Sequence, residues 1–162
     1  VNVCTGEKVS GRGAAPKILF EGQVIAFSYF DERKISDGFV QVFSKKVLAN
    51  MKETRTPLPI QTENSVFNEN FAVFAENEQN AFYILTPQVM EQITAFQEAV
   101  DGKVYLSFSE KNLYVTCNQF LNPFHIFIDI SIEEQRQRII QDTAILRSAK
   151  EILIRTGQSS TK

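Results

Sequence analysis

The sequence predicts an α+β fold: a mostly antiparallel sheet packed with two or three helices, the last of them long. Three observations carry this. Apolar and polar residues alternate through Lys103–Phe108 and again through Leu113–Cys117, with Glu110, Lys111 and Asn112 joining them as a hairpin. Thr86–Pro87 is a helix start, because Thr supplies an N-cap oxygen and Pro at the first helical position loses only an N–H that had no partner. Ser131–Ile132–Glu133–Glu134 is a capping box in which Ser and Glu satisfy each other's end of a second long helix. Strand and helix signals neither alternate strictly nor segregate, which favours α+β.

In chain order, residues 1–16 read as a flexible lead-in broken by Gly6, Gly11 and Gly13. Residues 17–155 read as a single α+β domain and 156–162 as a polar tail. Ile18, Leu19, Phe20, Val24, Ile25, Phe27 and Tyr29 give a first strand with a bulge or turn at Glu21–Gly22. Asp37–Gly38 is a turn signal before Phe39–Phe43, a second strand expected to pair with the first. Residues 44–65, with Pro57 and Pro59, read as a long loop. Phe71–Ala75 is a short strand and Glu78–Leu85 a short helix. Val89, Met90, Ile93, Phe96 and Val100 form the apolar stripe of the next helix, which Gly102 can end in the left-handed C′ position. The last helix is expected to reach about Ile154, with Ile132, Ile139, Ile140, Thr143, Leu146, Ala149 and Leu153 as its buried stripe.

Composition narrows the function classes. At 162 residues, 43% apolar and 22% charged, the chain is not disordered by composition. It can bury roughly 70% of the surface that its unfolded form exposes. Fourteen Phe and no Trp point to a phenyl-rich interior. A net charge of −2 with a pI near 5.5 lacks the basic footprint that a nucleic-acid backbone demands. Cys4 and Cys117 lie far apart without metal-ligand spacing and read as free thiols. No apolar run approaches 18 residues, and the start at Val1 reads as a cut from a longer protein.

Chemistry-bearing residues are sparse. His125, the one histidine, would share a strand face with Asp129 at about 13 Å, too far for a dyad. Gly6 to Gly13 has P-loop glycine spacing but lacks the Lys and Ser/Thr that should follow, and a strand comes next rather than a helix. The carboxylate pairs Asp31–Glu32, Glu76 with Glu78, and Glu133–Glu134 read as structural or as acids favouring a helix dipole. Cys117, in an apolar strand, reads as an inert buried thiol. No catalytic, cofactor-binding or metal-binding residue is picked out. Two segments are candidate binding surfaces. Lys45, Lys46, Lys52 and Arg55 form a patch for an anionic partner, or simply a solvated face. Ile145, Ile152, Leu153 and Ile154 widen the stripe of the last helix beyond what one sheet face requires. They are covered either by this chain's core or by another chain.

The stretch from Phe67 to Pro87, centred on Glu78-Gln-Asn-Ala-Phe-Tyr-Ile-Leu-Thr-Pro87, resembles a bacterial family of unknown function. Met90–Glu91, Val104–Phe108, Leu113–Val115 and, more loosely, Leu19–Gly22 extend the resemblance over residues 17–117, and the last helix also fits. Members of that family look like a soluble domain following two closely spaced transmembrane helices. The resemblance thus implies a membrane-anchored parent protein with this domain on the cytoplasmic side of the bacterial inner membrane, tethered through segments before Val1. It brings no catalytic residues. The expected function is a non-catalytic binding or assembly module whose partner is another protein or a second copy. The alternative is a small-ligand sensor or enzyme with a pocket between sheet and helices.

Overall fold

The computed structural model describes residues 2–7, 17–28, 38–45, 58–100, 103–118 and 126–159. Six strands form one sheet: β1 (Asn2–Glu7), β2 (Lys17–Ser28), β3 (Phe39–Ser44), β4 (Phe71–Ala75), β5 (Lys103–Ser109) and β6 (Asn112–Asn118). Their spatial order is β1-β2-β6-β5-β3-β4, and every neighbouring pair is antiparallel. The helices are α1 (Ser65–Asn70), α2 (Glu78–Ile84), α3 (Pro87–Ala99) and α4 (Ile132–Ser159). The expected α+β architecture with a long last helix is what the chain forms.

Register explains which side is dry. Val104, Leu106 and Phe108 of β5 are buried while the residues between them are half-buried. Leu106 lies opposite Val42 on one side and Val115 on the other. Because side chains alternate faces, the row Val40, Val42, Val73, Val104, Leu106, Phe108, Leu113, Val115 and Cys117 lands on one face with no exceptions. Onto it pack Val89, Met90, Ile93, Phe96 and Val100, the stripe expected for α3. On the opposite face Phe43 and Phe74 meet edge to face at 5.7 Å, and Phe43 and Tyr105 at 5.6 Å.

Local signals set the element ends. Thr86 Oγ1 accepts from the Val89 N–H at 3.4 Å and Pro87 opens α3, as expected. Asn77 and Asn64 cap α2 and α1 by accepting from the Gln79 and Phe67 N–H groups. Gly102 lies outside the described residues. Gly38 has φ +94° and a Cβ there would run into the Glu76 carboxylate, so the turn before β3 needs glycine.

Four expectations are corrected. Asn2–Glu7, inside the expected lead-in, is an edge strand paired with β2. The irregularity in that pairing falls between Thr5 and Gly6, opposite Phe20 and Ile18, and not at Glu21–Gly22. β3 does not pair with β2; the β5–β6 hairpin sits between them. A two-residue turn closes that hairpin locally, whereas the long connection after β2 leaves β3 free to cross to the far side. The expected loop over 44–65 contains Ile60, whose N–H donates to the Val73 carbonyl at 2.8 Å along the outer edge of β4. α1 follows directly, with Asn68 bonded through its side chain to Thr62.

Glu110 opens the β5–β6 turn with φ +37°, a conformation that costs an ordinary L-residue about 1 kcal/mol. Asn adopts it more readily, so Glu110→Asn should stabilise the domain by about 0.5 kcal/mol. An unchanged or lower urea midpoint for that variant would contradict this reading of the turn.

Candidate functional site

α4 carries exposed aliphatic residues on one side and core residues on the other. Its start is fixed by the expected box: the Glu134 N–H donates to Ser131 Oγ at 3.2 Å, and the Ser131 N–H donates to Glu134 Oε2 at 2.9 Å. The backbone N–H of Ser131, then its hydroxyl, hold the Glu134 carboxyl below its ordinary range. Before the box, the Phe127 N–H donates to Gln135 Oε1 at 2.9 Å, and the Arg138 guanidinium lies 4.6 Å from the Phe127 ring centroid. Pinning Phe127 onto the helix leaves its neighbours Ile126 and Ile128 exposed, Ile128 almost completely.

The helix packs against α3, α2 and β2 through Ile145, Ala149, Ile152 and Thr156, a line spaced by four, three and four residues. This resolves one open alternative and reverses one assignment. Ile145 and Ile152, candidates for an intermolecular interface, belong to this chain's own core. Ile132, Ile139, Ile140 and Leu146, expected in the buried stripe, are exposed, Ile132 at 89% and Ile140 at 51%. Ala149 is buried as expected, and Leu153 is partly buried against the core. Ile154, the remaining interface candidate, is 37% exposed. The physical reason is that two aliphatic lines interleave along this helix. Ile132, Ile139, Leu146 and Leu153 recur every seven residues, beside Ile145 and Ile152 at the same spacing. The elements it packs against, α3 above all, decide which line is dry.

The outward face therefore carries Ile132, Ile139, Ile140, Leu146 and Ile154 with Arg136, Arg147 and Lys150 among them, all exposed. Reasoning from the sequence missed the cations and the isoleucines at 126 and 128. The seven-residue spacing of Ile132, Ile139 and Leu146, which one helix packed on one core does not need, points to the aliphatic line but not to these residues.

Other singled-out residues come to less. Lys45 is exposed, and Lys46, Lys52, Arg55 and His125 lie outside the described residues. Gly6 and Glu7 sit in β1, while the rest of the glycine-spaced segment lies outside the described residues. Among the described residues no group of three His, Cys, Asp or Glu could hold a metal ion, and no helix is long and apolar enough to cross a membrane. Cys117 is a free, fully buried thiol with Sγ 3.9 Å from Gln23 Oε1. Burial pushes it up to about 11, with the contact to Gln23 opposing. Burial likewise raises Tyr105 on the opposite sheet face. A thiol protonated through the physiological range is not a nucleophile.

A six-stranded antiparallel sheet with helices on one face, the last of them carrying exposed aliphatic and basic residues on its outer side, defines the chain as an α+β domain. The chain belongs to the family described as "Protein of unknown function (DUF3137)", whose model matches residues 18–152, most of the chain. The expected membership of an uncharacterised family is met. No curated protein and no solved structure gives a significant match.

Two outcomes follow from this geometry. Folding keeps the Cys117 thiol protonated to about 11, above the ordinary 9.0, so stability present below pH 9 should be lost as pH rises towards 11. Thermal midpoints against pH should fall less steeply over that range for Cys117→Val than for wild type, and equal slopes would refute the assignment. Ile152→Asp puts a charge in the core and should unfold the domain. Ile140→Asp, on the outward face, should change stability by no more than about 0.5 kcal/mol. Loss of the folded circular dichroism spectrum in both variants would place Ile140 in the core instead.

Proposed function

We propose that this chain is a non-catalytic binding or assembly module, which a membrane-anchored bacterial protein presents at the cytoplasmic face of the inner membrane. The observation that carries the docking role is the exposed aliphatic row of α4 on the side away from α3. A helix that only covered its own core would place polar residues there. Scattered surface aliphatics need no explanation, but five along one helix face, interspersed with Arg136, Arg147 and Lys150, make an amphipathic surface suited to docking. The membrane tether rests on the likeness to a family whose soluble domain follows two transmembrane helices, with the anchoring segments before Val1. The space between sheet and helices is filled by Ile93, Phe96, Leu106 and Phe108, all but fully buried, which favours docking over a ligand pocket at that place.

The test is site-specific photocrosslinking of the full-length protein in cells, from a probe at Ile140 and a control probe at Lys111 in the β5–β6 turn. A recurrent adduct identified by mass spectrometry should form from Ile140 and not from Lys111. Leu146→Asp should reduce its yield at least about tenfold, as loss of an apolar anchor does. Equal yields from both positions, or no adduct at either, would remove the support for a docking role of α4.

A further inference from the structure

We draw no further inference here: the strongest candidate, the exposed aliphatic patch of Ile126, Ile128 and Ile132 around the start of α4, carries nothing, because nothing in the structure shows what covers it.

Discussion

Burial of a single face of the β5–β6 hairpin organises everything else in this chain, because that hairpin supplies the two central strands on which both halves of the sheet are built. β5 gives its outer edge to β3 and, through it, β4; β6 gives its outer edge to β2 and then β1. A slip of one residue in this hairpin would turn Val104, Leu106, Phe108, Leu113, Val115 and Cys117 to the wrong side together. The register is thus fixed by six buried side chains at once, and Glu110 tolerates its left-handed backbone because that register forces a two-residue turn. α3 then has one place to put Ile93 and Phe96, and α4 packs on what α3 leaves open.

What could be read in advance follows from how local each determinant is. Thr86–Pro87, the Ser131–Glu134 box and the β5–β6 turn span a few residues each, and all three formed as expected. The α3 stripe was equally legible, since Val89, Met90, Ile93, Phe96 and Val100 are the apolar line of that helix. The place of β3 was not legible. Its alternating apolar residues say which side faces the core, but the choice of neighbour depends on the β5–β6 hairpin, sixty residues later in the chain. β1 was missed for a related reason: an edge strand held by one neighbour takes its structure from β2, not from a strong pattern of its own.

The candidate site was legible only in part. That the last helix holds more aliphatic residues than one face needs is visible in the sequence, and Ile154 is indeed exposed. Ala149 is buried as expected, but Ile132, Ile139, Ile140 and Leu146 were assigned to the wrong side, and Ile145 and Ile152 were left open between core and interface. Ile145 and Ile152 went to the core, and Ile132, Ile139, Ile140 and Leu146 went outside. Two lines with the same period differ only in angle about the helix axis. That angle is set by contact with α3, which no pattern inside α4 encodes.

The outward isoleucines are hard to attribute to the helix itself. Ile is a poorer helix former than Leu, Lys, Glu or Ala, because its branched Cβ loses rotamer freedom against the preceding turn. At position 132 it gains little burial within this chain to offset that loss, and at 139, 140 and 154 only part of what a core position gives. Local propensity, core packing and solubility would each favour a different residue at all four. Where every intramolecular criterion points one way and the residues point another, the proposed docking role would supply the compensating interaction. The proposed docking role also fits the firm anchoring of α4 at its start. The capping box and the Phe127–Gln135–Arg138 contacts stiffen a turn that buries nothing of its own. Stiffening it would lower the entropy that a docking partner has to remove, as the proposed role requires.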